Sequence, residues 1–188
     1  MIDDLEDGDL NGLKLEGRNW SWSQFDDQSD GIQYLTIVQE EEAPGTGNSV
    51  LYVKGGDWKK RGAGLHANLA YKSSPRSYGF YDASVYSGIQ FWVKTYELDQ
   101  LKVSIGIPAT TSVDDGGSCF SKPPGHFEKL VPVSNNWAHI KIPFEAFILN
   151  EGKHSLPLDP SQIKGIHFSF ETLKDYEVWM DELSFFKK

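Results

Sequence analysis

Hydrophobic residues fall in short runs broken by glycine, proline, asparagine and aspartate, and nowhere keep the spacing of a long amphipathic helix. Short runs between turn signals are the pattern of a β-sandwich or barrel. The clearest are residues 31–38, 50–54, 88–94, 101–107, 137–144, 163–171 and 176–186, and weaker ones cover 1–6, 18–23, 64–70 and 127–133. Two alternate cleanly. Ile140 and Ile142 share one side while His139 and Lys141 take the other, and Ile166, Phe168 and Phe170 alternate with His167, Ser169 and Glu171. Residues 88–94 read alike, with Ile89, Phe91 and Val93 opposed to Gln90, Trp92 and Lys94. Such strands turn one face to a core and the other to water.

Turn chemistry fills the gaps: residues 43–48 (Ala-Pro-Gly-Thr-Gly-Asn), 114–117 (Asp-Asp-Gly-Gly) and 122–125 (Lys-Pro-Pro-Gly) are strong loops. Residues 143–147 suit one helical turn after their strand. With no internal repeat, low-complexity tract or linker, residues 1–188 read as a single domain. No apolar run approaches the roughly 18–20 residues of a membrane helix.

Charge narrows the partners. With 18 basic and 27 acidic residues, net −9, the chain lacks the basic footprint that phosphate backbones demand, so nucleic acid is not expected. A neutral ligand such as a glycan, gripped by stacking and hydrogen bonds, is compatible. Cys119 is the only cysteine, which rules out an intramolecular disulfide. The opening Met1-Ile2-Asp3-Asp4 lacks the basic and apolar regions of a signal peptide, leaving both an intracellular protein and a piece of a longer secreted chain open.

Aromatic residues make up 13% of the chain and include six tryptophans. Core packing accounts for many of them, since aromatics dominate burial energy in sandwiches. Trp137 and Trp179, inside β runs, suit core or edge positions. Trp20 and Trp22, among Asn19, Ser21 and Ser23, suit the surface, and Trp58 among Lys59, Lys60 and Arg61 suits either a cation–π contact or a ligand.

Three further features go together. The chain opens Ile2-Asp3-Asp4-Leu5-Glu6-Asp7-Gly8-Asp9, carries Trp137-Ala138-His139-Ile140-Lys141-Ile142-Pro143-Phe144 in its second half, and closes Val178-Trp179-Met180-Asp181-Glu182-Leu183. With the strands around Phe91 and Phe168 between them, this order resembles family 11-type carbohydrate-binding modules and the wider galactose-binding-like jelly rolls, over nearly the whole chain. The resemblance implies an all-β jelly-roll sandwich of two antiparallel sheets that binds a β-linked polysaccharide, a β-glucan or related plant cell-wall glycan. It also implies an extracellular or cell-surface setting and a covalently linked glycoside hydrolase. The loop 114–119 looks like a variant with a second cysteine before its His-Phe pair, where this chain has Pro124-Gly125. The segment Ile148-Leu149-Asn150-Glu151 lacks the family's Arg and Tyr pattern, and Phe170 stands where the family has a tyrosine.

In such jelly rolls the first and last strands meet around a structural calcium. The resemblance assigns it to Asp4, Glu6 and Asp181, with Asp4 and Glu6 projecting to one side of a strand. The plainer account is a solvated acidic terminus, with Asp181 accepting backbone N–H bonds. For the glycan, Trp22 falls near a family aromatic position and Asp115 in an acid-bearing loop, while His66, Asn68 and His126 are placed to share the groove. Each histidine is equally explained as an ordinary hydrogen-bonded residue. Asp114, Cys119 and His126 lack the tight spacing of a zinc site. No nucleophile elbow, phosphate-binding glycine loop or His-Glu-x-x-His motif occurs, and nothing marks one pair among the 27 acids as catalytic, so no enzyme activity is expected. A second class remains: an interaction domain like the respiratory-complex assembly proteins that share a related sandwich.

Overall fold

The computed structural model describes residues 1–16, 18, 20–45, 47–69, 79–120, 125–149 and 157–187. Ala70, residues 122–124, Asn150 and Glu151, which carried parts of the expectations above, lie outside them, as do Asn19 and Thr46. In chain order the strands are β1 (Trp22–Asp26), β2 (Ile32–Gln39), β3 (Ser49–Gly56), β4 (Ala63–Asn68), β5 (Gly88–Tyr96), β6 (Gln100–Gly106), β7 (Phe127–Pro132), β8 (Ala138–Pro143), β9 (Ile148–Leu149), β10 (Gly165–Phe170) and β11 (Tyr176–Phe186). They form two antiparallel sheets, ordered β1-β4-β10-β6-β7-β9 and β2-β3-β11-β5-β8. This is the expected β-sandwich.

Alternation decides which side chains enter the core. On β10, Ile166, Phe168 and Phe170 are fully buried while His167 and Ser169 look outward. On β5 the same division sets Ile89, Phe91 and Val93 inside against Gln90, Trp92 and Lys94 outside. The two inner faces meet at Phe91 and Phe168, whose rings pack edge to face at 5.2 Å. The turn after Pro143 forms as expected, a 3-10 turn over Phe144–Ala146.

Two elements differ from the alternation reading. Residues 1–6 make no strand; Asp3 forms one isolated bridge to Leu183, and the backbone turns left-handed at Leu5 (φ 64°). Ile2 and Leu5 are both buried, a spacing of three that a strand cannot send to one side. The weak run 18–23 resolves into β1, which starts at Trp22 and continues to Asp26.

Trp20, Trp22, Trp58 and Trp179 are distributed opposite to expectation, whereas Trp92 faces outward and Trp137 adjoins the edge strand β8 as expected. Trp20, Trp22 and Trp58 are core residues, each at most 4% exposed, whereas Trp92, Trp137 and Trp179 are half-buried. Trp22 stands opposite Ala67 on the core side of β1 and packs edge-on against Trp20 at 5.3 Å. Its indole N–H donates to the buried Asp3 carboxylate at 2.8 Å. Trp20 and Trp58 fold over Gly12 and Gly31, where any Cβ would strike the rings.

Candidate functional site

The outer face of the six-stranded sheet carries a row of side chains set by strand register: Ser23, His66, His167, Ser104 and Glu128, from β1, β4, β10, β6 and β7 in turn. The next row contains Asn68, then Gly165 and Gly106 side by side on β10 and β6. The two adjacent glycines leave that row without side chains beyond Asn68, and a depression of about 380 Å³ opens there. His126 fills its edge. A Cβ on Gly106 would come within 3.1 Å of the His126 ring, so the glycine permits the imidazole to lie flat across the sheet.

His66, Asn68, Asp115 and His126 therefore come together, joined by Thr110, Ser112, Lys164 and His167. Trp22 does not. Ser23 takes the outward position beside it, and Trp22 points into the core, so its expected role as a sugar platform is corrected. The aromatic surface belongs to other rings. His126 and His167 stack at 4.6 Å, His66 lies 5.6 Å from His167, and Phe25 stacks on His66 at 6.2 Å. Phe25 folds over Gly64, the next glycine on the face. His167 had a legible signal, since it alternates with the core residues Ile166 and Phe168, whereas Phe25, between the exposed Gln24 and Asp26, had none.

A second depression of about 530 Å³ lies on the same face, between Phe25, Asp27, Lys60, Arg61, Lys102 and Glu171. Its wall is stiffened by Asp27, whose Oδ2 accepts the backbone N–H groups of Lys60, Arg61 and Gly62 at 2.7–3.0 Å. The two depressions make a furrow along the strands with imidazole and phenyl faces between them.

Electrostatically the floor is neutral. Burial lowers the pKa of His66 and of His126, and that of His167 falls well below the ordinary histidine value through burial and its neighbours His126, His66 and Lys164. Ser23 Oγ and His66 Nε2 sit 2.6 Å apart, which fixes that ring. Lys164 is buried and donates to the Asp115 carbonyl at 2.6 Å, tying the loop that bears Asp115 to the sheet end. Asp115 itself ends a 3-10 turn capped by Ser112 and is exposed at the rim. Neutral imidazoles offer both a donor and an acceptor, and their flat faces offer apolar area, which together suit sugar hydroxyls and ring C–H groups.

Of the expected calcium ligands, Glu6 and Asp181 meet at the loop between β2 and β3. A Cβ at Gly45 would collide with Asp181 Oδ2, and one at Gly47 with the Glu6 carboxylate. Asp181 is 2% exposed, its Oδ1 accepts the Glu182 N–H at 2.7 Å, and its buried Oδ2 has no side-chain partner and lies against the Gly45 backbone, whose N–H reaches the carboxylate. Burial, with the charges of Glu182 and Glu6 nearby, raises its pKa to about 7. A buried carboxylate met only by backbone N–H groups, with a second carboxylate beside it, fits a hard cation. Asp4 instead faces its own turn, accepting the Glu6 N–H at 3.5 Å. Among the described residues, no three His, Cys, Asp or Glu side chains converge as a metal centre.

A jelly-roll sandwich with a polar, ring-floored furrow across one sheet defines a carbohydrate-binding module. More particularly, the family described as Carbohydrate binding domain 30 matches residues 19–187, and the chain belongs to that family. The fold is similar to the family 11 module of the cellulosomal cellulase Lic26A-Cel5E of Clostridium thermocellum, with TM-score 0.63 and 19% identity over 100% of this chain and 94% of that one. It is also similar to a family 11 module of that organism solved in complex with a β-1,3-1,4-mixed-linked tetrasaccharide (TM-score 0.60, 17% identity, 94% of each chain). The family 30 module of the C. thermocellum cellulase Cel9D-Cel44B aligns with TM-score 0.56 and 13% identity over 89% of this chain and 91% of that one. No curated protein matches the chain in sequence. The expected resemblance to family 11 thus holds for the fold, and the family itself is 30.

Proposed function

We propose that the furrow holds a β-linked polysaccharide chain, a β-glucan or related plant cell-wall glycan, and that His66, Asn68, Asp115, His126 and His167 contact it. In this reading the module performs no reaction; it keeps a covalently linked glycoside hydrolase near its substrate outside the cell. The observation that carries it is the glycine-floored row beneath Asn68, flanked by stacked imidazoles, in a member of a carbohydrate-binding family. The family 11 relative with a mixed-linked tetrasaccharide supports the β-glucan class. No helix among the described residues is long and apolar enough to cross a membrane.

Calorimetry against soluble β-glucan, xylan and mannan oligosaccharides tests the reading. Binding to at least one, weakened roughly tenfold or more in His66→Ala/Asn68→Ala, is the expected result. Absence of binding across the panel defeats it.

The proposal includes one calcium ion held by Asp181 and Glu6, with loop carbonyls and water completing a shell of about six to eight oxygens. Bound there, the ion would neutralise the two carboxylates and lock the β2–β3 loop to β11. Thermal melts that move upward in calcium relative to EDTA, and do not move in Asp181→Asn, support it. Identical melts in calcium and EDTA remove the ion from the account.

A further inference from the structure

The three tryptophans left outside the core do not line the furrow. They lie on the outer face of the opposite, five-stranded sheet. Register sets two neighbouring rows there. The first runs Tyr34, Lys54, Glu177 and Tyr96 across β2, β3, β11 and β5. The second runs Tyr52, Trp179 and Lys94, and Lys94 continues it to Trp137.

The rows are stiff and internally neutral. Lys54 pairs with Glu177 at 3.0 Å, and the same carboxylate accepts the Tyr52 hydroxyl at 2.7 Å. Lys94 pairs with Glu40 at 3.2 Å and holds its ammonium over the rings of Trp179 at 4.8 Å and Trp137 at 5.3 Å. Tyr34 and Tyr96 frame the first row and are 65% and 56% exposed. Three inter-strand steps put their backbones about 14 Å apart.

We propose that this open face is a second carbohydrate-binding surface, taking the flat, uncharged surface of an insoluble β-glycan. Three features select that occupant. Every charge in the rows already has its counter-charge, so the partner must be neutral. A protein covering the face would desolvate the Lys54–Glu177 pair, whose lysine side chain is 57% exposed. Sugar hydroxyls instead hydrogen-bond to such a pair while water remains, and exposed tyrosines meet the C–H faces of the rings. A face without walls suits a surface, whereas the furrow on the other sheet suits a single chain. The two sites share no residue.

The test is depletion of the intact chain from solution by microcrystalline cellulose, insoluble β-1,3-glucan and insoluble xylan, compared with Tyr34→Ala/Tyr96→Ala. Both tyrosines are largely exposed, so the variant keeps its fold, which circular dichroism verifies. The expected result is roughly tenfold weaker binding to at least one solid, with calorimetric affinity for soluble oligosaccharide unchanged. Wild-type protein saturated with soluble oligosaccharide still binds that solid. The proposal is overturned if no solid depletes the wild type, if the variant binds as well as the wild type, or if soluble oligosaccharide abolishes solid binding. Self-association that the variant loses, seen by sedimentation, also overturns it in favour of a protein interface. Tyrosine-dependent solid binding without soluble-ligand binding would leave this surface standing and remove the furrow.

Discussion

Replacing Trp22 by phenylalanine separates a core role from a ligand role. Trp22 is 4% exposed and its indole N–H donates at 2.8 Å to Asp3, which is fully buried and bonded otherwise to the Leu5 N–H at 3.2 Å. Phenylalanine keeps most of the packing but removes the donor, and an orphaned buried acceptor costs about 1–3 kcal/mol, more when charged. The pH dependence identifies that share. Burial raises the Asp3 pKa to about 6, and the Trp22 hydrogen bond pulls against that rise. A carboxyl whose pKa is raised on folding stabilises the fold fully below its unfolded pKa and loses that contribution as pH climbs through the folded value. Losing the donor raises the folded pKa further, so Trp22→Phe is more costly at pH 7.5 than at pH 5. Urea denaturation at both pH values measures this, and Asp3→Asn in the Trp22→Phe background should shrink the difference. Glycan affinity should stay at the wild-type value. Equal losses at the two pH values, or a stable protein with weakened glycan binding, would refute the core assignment.

Other outcomes follow from the same geometry. Gly106→Ala places a Cβ 3.1 Å from the His126 ring and 3.5 Å from His167 Nε2, so it should lower glycan affinity several-fold with little loss of stability, as calorimetry and melting would register. Imidazole NMR should find His66, His126 and His167 neutral at pH 7 and titrating below 6.5, with His167 the last to protonate. Because their folded pKa values are lowered, their contribution to stability is present above the unfolded pKa and declines as pH falls below about 6.5. For Asp181 the sign reverses: in EDTA its raised pKa of about 7 makes stability fall as pH rises from about 4 through 7; calcium should flatten that slope, and Asp181→Asn should lack it with or without calcium.

The strands and their inner faces were legible because burial on a sheet has a period of two. Ile166, Phe168 and Phe170 announce β10, and the same alternation puts His167 on the furrow side. Trp22 and Trp179 went the other way for the same reason, while Trp92 was read correctly. Polar flanks such as Ser21 and Ser23 look like surface, yet beside a strand residue they mark the opposite face, which sends Trp22 inward. Apolar flanks send a residue outward, as Phe91 and Val93 do for Trp92, and Val178 and Met180 for Trp179. The opening residues misled differently, because Leu5 adopts a left-handed turn that no pattern of two can express. Convergence of His66, His126 and His167 needed register between β4, β10 and the approach to β7, which pairing supplies and one strand's sequence does not.

Chemical-shift mapping of the labelled chain, titrated with a soluble β-glucan oligosaccharide, puts the furrow to the most direct test. The account predicts that the ring and backbone signals of His66, Asn68, His126 and His167 move together with one dissociation constant while the indole signals of Trp20, Trp22 and Trp58 stay fixed. Movement of the core indoles without the histidines, or saturation with all four furrow residues unmoved, would contradict it.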